Sequence, residues 1–332
     1  MLRALSVLRR LDGIGREFTE LRREVEQPIG RRCLEVVSFE KRRNALLVVH
    51  TGVSGRGRIR IAIKQTNGEQ AETHNQARTL VSAVIDGRAG VGGFVRRLAS
   101  TAYFRATAFN YEHRLFARWN RTPAGSFRCY DLVNRHGRDR MLAAIASRCG
   151  PADVVYDVGA HVGVYALALA ANGPSRRIYA FEPSPPVVEC LVANVARNRF
   201  GDSIELHAYG LGSSNCRRSF YVSTNPELSA FDVESATRWG ARIRETRTVP
   251  VRRLDDLSIP PPDLLKLDVE GAAPAVLEGG HATIDRARPT VVVEIHEEGV
   301  PGDRTTELRE RLSELDYGVE THDGFWVCEP RG

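Results

Sequence analysis

The stretch VVYDVGAHVGVYAL, residues 154–167, decides the reading of this chain. A short apolar run ends at Asp157, glycines follow at Gly159 and Gly163, and a helical pattern begins at once. Gly159 lets the backbone approach a ligand closely, and Gly163 lets the helix pack tightly on the strand. The next strand, RRIYAFE (176–182), ends in Glu182, a carboxylate able to accept both hydroxyls of a ribose. The series describes a nucleoside-type cofactor lying across the first strand-helix junction. The glycine spacing does not fit the GxGxxG of a dinucleotide fingerprint, which ranks a nicotinamide dehydrogenase lowest.

Outward from that stretch, apolar strands alternate with helices. Strands are expected at 152–158, 176–182, 203–211, 263–269 and 289–296. Helices are expected at 164–172, 185–199, 274–286 and 305–316, and a terminal hairpin at 317–329 turns on Asp323-Gly324. This alternation predicts an α/β fold with a largely parallel sheet covered on both faces. Residues 212–262 interrupt it with an expected strand pair, 217–224 and 248–257, in an insertion of the kind that carries substrate contacts.

Two further motifs place acids at strand ends, where ligands bind in such sheets. In LLKLDVEGAAPAVLEGG (264–280), Asp268 and Glu270 lie two apart and would share a face of a continuous strand. They suit cofactor orientation, an acceptor hydroxyl or its proton, or a divalent metal; helix capping is the competing role for Glu270. In VVVEIHEE (291–298), Glu294 and His296 sit on one face, and His296 is a candidate general base. His161, inside the glycine loop, is expected to shape the cofactor pocket.

Charge divides the chain. Residues 1–150 hold 28 Lys and Arg against 13 Asp and Glu, whereas 151–332 hold 19 against 28. The boundary is expected near residue 145, with a basic α+β region (1–145) ahead of the α/β domain (146–332). Strands at 34–51 and 56–66, a helix at 69–87 and helical character over 94–120 are expected in the basic part. Its charge suits an anionic partner such as a lipid surface, a glycan or nucleic acid. The six cysteines are scattered, with no CxxC pair, and read as reduced thiols of a cytoplasmic protein. No apolar run reaches the ~20 residues of a membrane span, and the basic, partly amphipathic first residues allow peripheral contact with a membrane surface.

Together the motifs resemble the FkbM family of class I, Rossmann-like methyltransferases over about residues 150–297. They are Asp157-Val158-Gly159-Ala160-His161-Val162-Gly163, Phe181-Glu182-Pro183, Asp268-Val269-Glu270-Gly271-Ala272-Ala273, Val276-Leu277-Glu278-Gly279 and Glu294. The resemblance implies a seven-stranded sheet with one antiparallel strand. It implies S-adenosylmethionine held by Asp157, Gly159, Gly163 and Glu182, with adenine near Tyr209, Gly210 and Leu211. It also implies methyl transfer to oxygen, often a sugar or polyketide hydroxyl. The sequence departs from the pattern at His161, where the family usually has Asn, and at Ala273, where it usually has a second Glu. Asp268, Glu270, Glu294 and His296 are the catalytic candidates, with Asp268 also facing the cofactor. Two rival readings are a nucleic-acid methyltransferase gripping its substrate with the basic region, and a binding protein that kept the fold without turnover. No N-P-P-[YF]-like or catalytic cysteine motif supports the former.

Overall fold

The computed structural model describes residues 33–40, 45–53, 59–65, 91–295 and 304–331. The chain forms two compact units, residues 1–94 and 95–332.

The first unit holds three strands, β1 (Cys33–Glu40), β2 (Ala45–Val53) and β3 (Ile59–Gln65), paired antiparallel in chain order. The single strand expected over 34–51 is therefore a hairpin. Its two apolar arms flank the charged stretch Lys41–Asn44, and Glu40 pairs with Ala45. The helix expected at 69–87 lies outside the described residues.

The second unit begins within α1 (Val91–His113) and continues with the hairpin β4 (Arg118–Thr122) and β5 (Gly125–Cys129), then α2 (Arg140–Arg148). Helix is thus confined to the first part of 94–120. Asn110 ends it by accepting from the Phe116 amide and donating to the Phe116 and Tyr130 carbonyls. Tyr111, Phe127 and Cys129 are buried in the same core as the α/β strands. The boundary expected near 145 thus falls inside a compact unit that starts about fifty residues earlier.

The α/β part runs β6 (Val154–Val158), α3 (Val164–Asn172), β7 (Arg177–Phe181), α4 (Pro185–Asn198) and β8 (Ile204–His207). After the insertion come β12 (Leu264–Leu267), α6 (Ala273–Gly279), α7 (His281–Ala287), β13 (Thr290–Glu294), α8 (Arg304–Glu314), β14 (Tyr317–His322) and β15 (Phe325–Pro330). These seven strands form one sheet in the order β14-β15-β13-β12-β6-β7-β8. All neighbours pair in parallel except β15, which is antiparallel to both β13 and β14. The terminal hairpin supplies that one reversed strand, but β15 lies inside the sheet, with β14 and not the reversed strand at the edge, because the chain turns outward after α8 before folding back beside β13.

Alternation along the strands builds two cores. Val155, Leu264 and Val292 face the layer with α3 and α4, while Tyr156, Leu265 and Val293 face the layer with α6, α7 and α8. The strand expected over 203–211 is two. β8 stays in the main sheet, and β9 (Gly210–Leu211) leaves it to pair with β11 (Ile243–Arg252), which also holds β10 (Cys216–Ser223). The insertion is thus the expected strand pair, with a short helix, α5 (Val233–Ala236), between its strands. The helix expected over 274–286 breaks at Gly280, where a side chain would press on Leu254 and the Val276 carbonyl.

Among the described residues no helix is long and apolar enough to cross a membrane. The five cysteines described, Cys129, Cys149, Cys190, Cys216 and Cys328, are free thiols.

Candidate active site

The sheet order reverses between β6 and β12, and in open α/β sheets ligands bind outside the carboxyl ends of strands at such a point. Asp157 on β6, Lys266 on β12 and Glu294 on β13 alternate onto the same face, and Asp268 follows two residues after Lys266. Lys266, buried, joins them. Its Nζ lies 2.9 Å from Asp157 Oδ1, 3.4 Å from Asp268 Oδ2 and donates to the Gly159 carbonyl at 2.8 Å. Burial works against its charge, but Asp157 and Asp268 hold it above the ordinary lysine range. The second Asp157 oxygen accepts the Ala166 amide at 3.2 Å, tying strand to helix. Lys266 went unnoticed in the sequence, although a lysine inside the apolar run LLKL was the available signal: such a charge is buried only with partners.

The glycine loop is held by backbone. The amides of Gly159 and Ala160 both donate to the Phe181 carbonyl at 3.0 Å. Gly159 has φ +75°, and a side chain there would collide with the Asp268 carbonyl, so no other residue fits. Glu182, buried, accepts the His161 amide on Oε2 at 2.9 Å and the Ser184 amide on Oε1 at 2.8 Å. Burial pushes its carboxyl up to about 7, against the pull of those two amides. Each oxygen keeps a lone pair for a further donor.

His161 has φ +50° and packs edge-on against Tyr111 of α1, with ring centroids 5.7 Å apart. Burial drops its pKa to about 4, so the ring is neutral. Its Nε2 and the Ser184 hydroxyl are buried without a hydrogen-bond partner. Past β8, His207 stacks on Phe181 at 4.9 Å and its Nδ1 meets the Tyr209 hydroxyl at 3.0 Å. Tyr209, Gly210 and Leu211 thus adjoin the Glu182 strand end. A side chain on Gly210 would come within 2.7 Å of the Phe231 ring.

On the other side of the reversal stand the remaining acids. Glu294 and Asp268 share a hydrogen bond, and burial together with Asp268 raises the Glu294 pKa far above the usual carboxylate range. The two carboxyl groups thus favour holding a proton between them. Glu270 does not share the Asp268 face. The strand ends at Leu267, and Glu270 at φ +44° turns its carboxylate to the buried Arg238 of the insertion, with which it forms an ion pair. It is not a helix cap either: Ala272 holds the cap position of α6, with no side-chain cap bond. Arg238 lies 32 residues before Glu270 in a segment without a motif, so no local sequence pattern pointed to it. A cleft beside these groups is lined by Glu270, Gly271, Pro274, Val293, Glu294 and Leu308. His296 lies outside the described residues. Among the described residues no three or more His, Cys, Asp or Glu side chains group as a metal site.

The FkbM methyltransferase domain model matches residues 157–319. That segment belongs to the FkbM methyltransferase family. It holds every described residue placed above at the strand ends, from Asp157 to Glu294. The chain is 29% identical over 187 residues to 31-O-demethyl-FK506 methyltransferase FkbM of Streptomyces tacrolimicus, covering 48% of this chain and 72% of that one. It is 29% identical over 174 residues to the hexuronic acid methyltransferase AglP of Haloferax volcanii, covering 52% and 69%. It is 30% identical over 209 residues to the AMB antimetabolite synthetase AmbE of Pseudomonas aeruginosa, where it covers 51% of this chain but spans only 10% of that protein.

Proposed function

We propose that this FkbM-family protein transfers the methyl group of S-adenosylmethionine to a hydroxyl of a sugar or other small-molecule acceptor. The observation that carries the reading is the pairing of two unlike sites across the sheet reversal. One is a glycine loop with a buried carboxylate, and the other an acid pair backed by a buried lysine.

The chain's residues fit the cofactor. Two buried polar atoms without partners, His161 Nε2 and Ser184 Oγ, flank Glu182, and Gly159 leaves the loop no side chain of its own. Glu182 accepts the ribose hydroxyls, Tyr209, Gly210 and Leu211 border the adenine, and Asp157, Gly159, His161 and Gly163 shape the pocket for the methionine part. When bound, the cofactor supplies a methyl group already activated on a sulfonium.

The remaining work is alignment and a proton. Asp268 lies on the lysine side, 3.4 Å from the Lys266 Nζ, and shares a hydrogen bond with Glu294. Asp268 would orient the acceptor hydroxyl and accept its proton. Glu294 positions Asp268 through their shared hydrogen bond. Glu270 holds Arg238 and so fixes the insertion over the cleft. The basic N-terminal region, residues 1–145, is a candidate surface for an anionic partner, a glycan or a lipid surface.

The relatives named for FK506 and hexuronic acid methylation favour oxygen acceptors, and the second favours an acidic sugar. The test is transfer of labelled methyl from S-adenosylmethionine to glycosides and uronides, with transfer RNA as a control. Labelled sugar, lost in Asp268→Asn, supports the proposal. Labelled RNA alone would replace it with the nucleic-acid reading.

A further inference from the structure

We propose that Trp239 is the stacking platform for the acceptor's ring, carried by its neighbour Arg238, whose ion pair with Glu270 ties this segment to a residue that lines the cleft. The inference rests on the methyl-transfer reading and adds the residue that selects a ring-shaped acceptor.

Single exposed hydrophobic side chains are ordinary, so exposure alone decides nothing. Three further features set Trp239 apart. The first is its backbone, at φ +55° and ψ +23°. A bulky aromatic in the left-handed region is strained, and such strain persists where the surroundings impose it, often at ligand clamps. The second is its support. The Arg238 guanidinium lies 5.1 Å from the Trp239 ring centre, over one face. That same guanidinium is buried, with a side-chain exposure of 6%, and is paired to Glu270, which lines the cleft. The third is the free remainder: Trp239 is 74% exposed, more than Trp119 at 58%, while Trp326 is buried.

The ring is therefore fixed to the catalytic side of the molecule by a charge pair yet left open to solvent. A buried cation on one face and water on the other suits a partner that stacks with carbon–hydrogen faces and keeps its hydroxyls wet. A sugar ring has that chemistry, since an indole combines a large apolar body with one polar handle. The insertion brings the platform to the strand tips. Glu270 leaves the Asp268 face through its left-handed backbone and so reaches Arg238. Glu270 is thus a positioning residue, acting on the acceptor through Arg238 and Trp239.

The test uses the full chain labelled with 5-fluorotryptophan, saturated with S-adenosylhomocysteine and followed by fluorine NMR. Its three indoles give three signals, and Trp239→Phe assigns one of them. Methyl β-D-glucuronide and methyl β-D-glucoside are added in turn. The expected result is a saturable shift of the Trp239 signal with the others still. Movement with the glucuronide alone marks a charged ring, and movement with both marks the ring itself. Glu270→Gln should broaden or displace the Trp239 signal before any sugar is added. In turnover with whichever glycoside is methylated, Trp239→Ala should raise the acceptor KM by about tenfold, with cofactor affinity unchanged. A Trp239 signal that neither glycoside moves, in protein that binds S-adenosylhomocysteine, overturns the platform while leaving methyl transfer standing. Failure to bind S-adenosylhomocysteine at all removes the methyl-transfer reading, and the platform falls with it.

Discussion

The two sides of the sheet reversal handle charge in opposite ways. On the β6–β7 side, Glu182 is surrounded by backbone donors supplied within a few residues or by the adjoining loop, the His161 and Ser184 amides. On the β12–β13 side, Asp268 and Glu294 face each other across two strands, and their compensation comes from Lys266 beneath. The proposed cofactor side is built from local geometry, which fixes one shape. The proposed acceptor side is built from long-range charge pairs.

The largest effect should come from removing the shared cation. Lys266→Met leaves Asp157 buried without its partner and Asp268 beside an uncompensated acid. Breaking a buried pair of this kind costs about 3–5 kcal/mol, so the melting temperature should fall by roughly 10 °C. Thermal unfolding of both proteins checks it, and a fall of only a degree or two would mean that Lys266 does not hold the two sides together.

Next comes the acid pair alone. Asp268→Asn should keep the fold and cofactor binding while lowering kcat about 10²- to 10⁴-fold, the range of a lost general base. Glu294→Gln should cost much less, since the amide still donates a hydrogen bond to Asp268. Equal losses in the two variants would show that the pair acts as one symmetric unit.

A smaller effect separates the sides by pH. Glu182 has its pKa raised to about 7, so it carries a proton below that value and accepts ribose hydroxyls poorly. Cofactor affinity should fall about tenfold for each pH unit below 7 and level off above it. By linkage, folding stability contributed by the protonated group is fully present below pH ~4.5 and is lost as pH rises through about 7, so bound cofactor should stabilise most at the alkaline end. Calorimetric titration across pH 5.5–8.5 reads the slope, and a flat profile would place the ribose elsewhere.

The smallest effect concerns this chain's departure from the family pattern. His161→Asn should change cofactor affinity by about 1 kcal/mol or less, measured by the same titration. An unchanged value would mean that the ring only fills space against Tyr111.

The contrast also explains what the sequence disclosed. Asp157, Gly159, Gly163 and Glu182 lie in contiguous strand-turn-helix units, where spacing alone dictates geometry, and the structure sets them at adjoining strand ends. The strands and the terminal hairpin were legible for the same reason, through apolar runs and an Asp-Gly turn, whereas a seven-stranded sheet with one antiparallel strand followed only from the family resemblance. Three features were not. Glu270 was expected beside Asp268 because the strand was read as continuous, but its left-handed backbone turns it to Arg238. Arg238 has no periodicity around it. The unit boundary was read from charge composition, whereas burial of Tyr111, Phe127 and Cys129 in the α/β core ties residues 95–150 to that core.

The central claim is that the Glu182 strand end is a nucleoside site for S-adenosylmethionine. Isothermal titration of the full chain with S-adenosylmethionine, beside Glu182→Gln, tests it most directly. Micromolar binding is expected for the native protein, with a loss of about 10- to 100-fold in the variant, the worth of charge-assisted hydrogen bonds. Equal binding by both folded proteins, or none by the native protein at pH 8, would contradict it.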